Sequence, residues 1–130
     1  MNKSFIEFNF TPTTDRVDFN YILASEEYDG ATECSFADGF AFILTRPDGT
    51  TDNLAVLPNG TVVNVTNINQ SAACGANQDF FAGYNLGATN YNGRTEVLTA
   101  SATGLEPNET YVMKLVVADQ GDNLFDTAIL

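Results

Sequence analysis

No stretch of this chain sustains a helical period. Short segments rich in Phe, Val, Ile, Tyr and Thr instead alternate with turn signals about every 8–12 residues. A strand period of two places successive side chains on opposite faces, so these segments bury one face each and need a second layer to cover it. The pattern predicts an all-β, antiparallel β-sandwich, jelly-roll or Greek-key-like, of about eight or nine strands. With 130 residues and 44% apolar composition the chain is large enough for one hydrophobic core, and residues 1–130 read as a single domain.

The segments can be placed. Phe5-Ile6-Glu7-Phe8-Asn9-Phe10 alternates cleanly, with Ile6, Phe8 and Phe10 expected inward and Glu7 and Asn9 outward. Residues 16–24 read as a second strand, apolar on both faces and therefore central. Residues 36–44 read as a buried strand. Pro47-Asp48-Gly49 and Pro58-Asn59-Gly60 are turn triplets, because Pro presets φ at the first corner and Gly accepts the positive φ that follows. They predict a three-stranded meander over residues 39–46, 52–57 and 61–68. Residues 69–93 read as a long loop pinned by Cys74, Phe80 and Phe81. Further strands are expected over residues 96–103, 111–118 and 125–130. Between the first two of these, Leu105-Glu106-Pro107-Asn108-Glu109-Thr110-Tyr111 has the form of a tyrosine corner.

The net charge is −12, with five Lys and Arg against seventeen Asp and Glu and no His. A polyanionic nucleic acid or an anionic membrane surface is a poor partner for such a chain. No apolar run is long enough to span a bilayer. No signal peptide precedes the first strand pattern, so the chain reads either as cytosolic or as a domain taken from a longer secreted surface protein. Scarce Lys, abundant Thr and Asn, and the even cysteine count favour the second. Cys34 and Cys74 lie in polar loops rather than apolar runs; they allow one pairing, in an oxidising compartment, or are two unrelated thiols.

The chemistry concentrates where strands end in acids. Ile22-Leu23-Ala24-Ser25 runs into Glu26-Glu27-Tyr28, Asp38 shares a face with Phe36, Phe40 and Phe42, and Asp119, Asp122 and Asp126 crowd the segment before the last strand. Buried carboxylates need partners, and the chain's own cations are too few. An all-oxygen set without His points to calcium rather than zinc, copper or iron. The expected ligands are Glu26, Glu27, Asp38, Asp119, Asp122 and Asp126. Local backbone capping is the competing role for Asp38. Adjacent strand residues point to opposite faces, so Glu26 and Glu27 share one ion only if the strand has turned there. Without His no Ser-His or Cys-His pair forms, and adjacent carboxylates do not frame a glycosidase cleft, so an enzyme is not expected.

The order of these motifs resembles the choice-of-anchor L domain of bacterial surface and secreted proteins. Ala24-Ser25-Glu26-Glu27-Tyr28, a following Cys, and Phe36-Ala37-Asp38-Gly39-Phe40-Ala41-Phe42 are similar to that family's SEEY and FND-type motifs. Similarity continues through Leu54-Ala55-Val56-Leu57-Pro58, Asn77-Gln78-Asp79-Phe80-Phe81, Tyr91-Asn92-Gly93-Arg94-Thr95-Glu96 and residues 111–130. Ala37 stands where the family has Asn, and Asn92 where it has Asp. The resemblance implies an exported module, a Cys34–Cys74 bridge and functional weight on the six acids. The expected function is that of an extracellular calcium-binding module acting in adhesion or in binding a glycan or peptide; the alternative is a structural subunit of a fibre or matrix, assembling with copies of itself.

Overall fold

The computed structural model describes residues 3–36, 38–119 and 125–130. Among them are ten strands and no α-helix: β1 (Lys3–Phe10), β2 (Val17–Tyr21), β3 (Leu23–Ser25), β4 (Gly39–Thr45), β5 (Thr51–Asn53), β6 (Phe81–Tyr84), β7 (Gly93–Thr95), β8 (Leu98–Ala102), β9 (Tyr111–Ala118) and β10 (Thr127–Ile129). Two single turns of 3-10 helix, Thr32–Cys34 and Gln78–Phe80, punctuate the loops. All pairings are antiparallel. One sheet has the order β1-β9-β4-β5, a second β10-β3-β7-β6, and β2 pairs with β8 alone. The architecture is the expected all-β sandwich.

The core lies between these sheets. Phe40, Phe42, Leu44 and Met113 come from β4 and β9, and Tyr21, Leu23, Leu98 and Ala100 from the opposing strands. The register explains the choice, since Phe40 pairs with Val117, Phe42 with Leu115 and Leu44 with Met113 on one face. Tilted rings pack closely there: Tyr21 and Phe40 centroids are 5.2 Å apart, as are those of Phe19 and Phe42. β9 spans the same residues that its alternation predicts. The tyrosine corner also forms, with the Tyr111 hydroxyl accepting the Glu106 backbone N–H at 2.8 Å.

Four sequence expectations are corrected. Residues 16–24 form not one strand but β2 and β3, broken at Ile22. The Thr95 hydroxyl there accepts the Leu23 N–H at 3.1 Å and takes the place of a ladder bond, while Ile22 pairs with Leu130 instead. The meander has only two strands, β4 and β5. The Asn53 side chain accepts the N–H groups of both Phe42 and Ala55, each at 3.0 Å, which ends the ladder. Residues 61–68 return as isolated bridges, Val56 to Val62 and Gly39 to Asn64, with Val63, Val65 and Ile68 fully buried. The turns themselves follow the expected logic, with Gly49 at φ 87° and Gly60 at φ 84°. The loop over residues 69–93 contains a strand, β6, whose Phe81 is a core residue. Finally, Ile6 is 67% exposed and Phe8 37% exposed, although both lie on the inward face of their sheet. β1 is an edge strand, and among the described residues this part of its inward face is left open.

Candidate functional site

Five of the six acids predicted as ligands, Glu26, Glu27, Asp38, Asp119 and Asp126, lie at one end of the sandwich, where β3, β4, β9 and β10 begin or finish. Asp38 is 1% exposed, immediately before β4. The Thr127 hydroxyl donates to its Oδ2. Thr127 Oγ1 also lies 2.7 Å from Ser25 Oγ. A hydroxyl has one proton to give and a carboxylate only accepts, so the chain runs from Ser25 through Thr127 to Asp38. Register fixes this relay, because Thr127 is the direct cross-strand partner of Ser25.

The two glutamates separate, as the strand geometry requires. Glu27 is buried, and its Oε2 accepts the Asp38 backbone N–H at 3.3 Å. Its own N–H donates to Ser25 Oγ at 3.1 Å. Glu26 is half-buried and turned toward the segment before β10, where its Oε2 accepts the Asp126 N–H at 3.2 Å and its N–H donates to the Asp126 carbonyl at 3.0 Å. Asn92 Nδ2 closes on the Glu26 carbonyl at 2.6 Å. Asp126 itself is exposed and Asp119 half-buried.

Asp38, Asp119 and Asp126 line one cavity of about 240 Å³, together with Lys3, Ser4, Val117, Phe125 and Thr127. Segments far apart in the chain thus bring three of the six predicted acids to one hollow, with Glu26 and Glu27 bonded to the backbone of two of the three. No group of three or more His, Cys, Asp or Glu side chains is close enough to hold a metal ion among the described residues. Lys3, on the rim, is a cation that the sequence reading did not place beside these acids. Asp122 lies outside the described residues.

One buried acid escaped the sequence reading. Glu33, fully buried in the turn Thr32–Cys34, accepts the N–H groups of Asp29 at 3.0 Å and Gly30 at 2.7 Å through Oε2. Its Oε1 accepts the Tyr84 hydroxyl at 2.6 Å. Burial, followed by the hydrogen bond to Glu33, pushes the Tyr84 phenol well above its ordinary value. Local amide donors supply what a cation would, so a carboxylate here is structural.

The loop carrying Glu26, Glu27 and Glu33 is tied down along its length. Cys34 is disulfide-bonded to Cys74, with Cα atoms 5.7 Å apart. The Ser71 hydroxyl donates to the Gly30 carbonyl at 2.9 Å, and the Tyr28 hydroxyl to the Ile68 carbonyl at 2.8 Å. The Tyr28 ring packs on Phe81 with centroids 4.8 Å apart, and burial raises its phenol far above the usual range. The acidic end therefore sits on a cross-linked scaffold rather than on a free loop.

Among the described residues no helix is long and apolar enough to cross a membrane. Among curated proteins and solved structures no match was found. The model of the choice-of-anchor L domain matches residues 1–130, the whole chain. With the SEEY-type turn buried beside Asp38 and the two cysteines joined, the chain belongs to the choice-of-anchor L domain family, and such a domain is a module of extracellular bacterial surface proteins.

Proposed function

We propose that the domain is a calcium-dependent binding module, acting in adhesion to a glycan or peptide rather than in catalysis. The observation that carries this reading is the hollow lined by Asp38, Asp119 and Asp126, with Glu26 and Glu27 next to it. Calcium accepts six to eight oxygens from carboxylates, carbonyls, hydroxyls and water in irregular geometry, and this end of the sandwich offers carboxylates and a hydroxyl. The Thr127 hydroxyl and the exposed Asp126 give the hollow a polar wall that an ion would draw together. A bound ion open to solvent on one side then offers coordination sites to hydroxyl or carboxylate groups of a ligand. Lys3 stands for the competing role, in which a lysine balances the acids.

Thermal melting with added calcium and with chelator tests this. Calcium at a hundred times its dissociation constant adds about 2.7 kcal/mol to stability, a clear rise in midpoint. An unchanged midpoint up to millimolar calcium removes the metal from the proposal.

A further inference from the structure

The two four-stranded sheets have four outer strands. Three of them are short: β5 and β10 have three residues each and β6 has four. Short edges are a common protection against unwanted strand pairing. The fourth, β1, is eight residues long and pairs with β9 in unbroken register from Lys3 opposite Ala118 to Phe10 opposite Tyr111. It carries no proline and no bulge, and its other edge meets no strand among the described residues. Seven of its eight residues are exposed, among them Phe5 at 56%, Ile6 at 67% and Phe8 at 37%.

The electrostatics of this edge differ from those of the molecule. The chain carries −12, yet β1 and β9 together hold Lys3, Lys114 and a single acid, Glu7. Arg16 and Arg46 are engaged elsewhere, by Asp18 and Asp52. Lys114 lies over the Phe5 ring, 4.4 Å from its centroid. Glu7 is thus the one acid on these two strands, although the Lys3 end borders the hollow lined by Asp38, Asp119 and Asp126.

The sequence of β1 also complements itself. When two copies extend one sheet antiparallel about a twofold axis normal to it, residues of like parity face each other. Lys3 and Glu7 stand symmetrically about Phe5. Centring the axis on Phe5 therefore sets each Lys3 opposite the partner's Glu7, Phe5 opposite Phe5, and Ser4 opposite Ile6. Moving the centre to Ile6 sets Phe5 against Glu7, and moving it to Glu7 sets like charges against each other, which is unfavourable. We propose that β1 is a homodimer interface, in which two copies of this chain join β1 to β1 antiparallel with Phe5 at the centre and Lys3–Glu7 pairs on either side. The contact is isologous, so it closes as a pair and does not propagate into a fibre.

Sedimentation velocity on the full chain, from about micromolar to about millimolar protein, reads the association directly. The chain is expected to sediment as a reversible dimer at the upper end. Glu7→Lys replaces two attractions by two repulsions and is expected to weaken the dimer on the order of tenfold. Lys3→Glu combined with Glu7→Lys restores both pairs in reverse and is expected to restore association. Phe5→Cys is expected to give a covalent dimer on oxidation, because directly opposed strand residues are within disulfide reach. A chain that stays monomeric throughout overturns the proposal. So does a dimer that the charge reversals leave unchanged and that Phe5→Cys fails to cross-link.

Discussion

Gly93 lies directly against Tyr28: a β-carbon built at position 93 would sit 2.6 Å from Tyr28 Cβ and 2.9 Å from its Cγ. The contact is with the root of the tyrosine side chain, which cannot swing aside, and Tyr28 is itself held by Phe81 and by the Ile68 carbonyl. Gly93→Ala is therefore expected to destabilise the fold by about 1–3 kcal/mol, read as a lower urea midpoint. No change would mean that the turn and β7 separate more easily than this packing implies.

Cys34 and Cys74 are 40 residues apart in sequence, and their bridge closes a large loop in the unfolded chain. Reduction, or the double replacement by Ala, is expected to cost about 2–4 kcal/mol. Comparing denaturation with and without reductant measures this. The loss is also expected to loosen the Glu26–Glu27 segment, which the bridge fastens to the segment bearing Ser71.

Tyr84→Phe removes the phenol that donates to Glu33. The carboxylate keeps its two amide donors but loses the third partner in a buried site, and a stability loss of about 1–3 kcal/mol is expected. Glu33→Gln in the same background is expected to cost less than it does alone, since the two residues form one hydrogen-bonded unit. A double-mutant cycle checks the coupling.

Asp29 sits in the same loop and accepts the backbone N–H groups of Ala31 at 2.8 Å and Thr32 at 2.7 Å. The Thr32 side chain is the largest influence, followed by the Thr32 and then the Ala31 backbone N–H, and together they hold the Asp29 carboxyl below the usual carboxylate range. A folded-state value lower than the unfolded one makes its contribution complete above the unfolded value of about 4. The contribution disappears as pH falls through the lower folded value. The stability difference between the native chain and Asp29→Ala is expected to be constant near neutrality and to shrink below about pH 4. A difference that persisted or grew in acid would contradict this.

The calcium reading separates two of the buried acids, Asp38 and Glu33. Asp38→Asn is expected to abolish the calcium-induced rise in melting temperature, whereas Glu33→Gln lowers stability but leaves the rise intact. Differential scanning fluorimetry with and without calcium distinguishes them. Equal behaviour of the two variants would remove Asp38 from the ion's ligands.

Much of this architecture is legible in the primary chain because period-two alternation and turn chemistry are local. Tyr111–Ala118 reads as a strand of eight residues and is one. Prolines and glycines mark the corners before Gly49 and Gly60, and the tyrosine corner announces itself through Tyr111. The family motif around Glu26 and Glu27 is likewise a matter of neighbouring letters. What fails is any inference that depends on what lies opposite. Asn53 reads as an ordinary polar strand residue and Thr95 falls just before a predicted strand, yet their side chains intercept backbone N–H groups and cut two predicted strands short. Glu33 gives no sign of burial, because Tyr84 is 51 residues away in sequence.

The residues themselves determined that this chain makes antiparallel strands with one apolar face each, and which of its acids stand at strand ends. Only the tertiary structure decided which of those faces is covered and which acids meet. Ile6 and Phe42 follow the same alternation, but the second is 3% exposed and the first 67%. Side-chain alternation arises within a strand, whereas burial requires a second layer to arrive from elsewhere in the chain. At β1 that layer does not arrive, and at Asp38 it does.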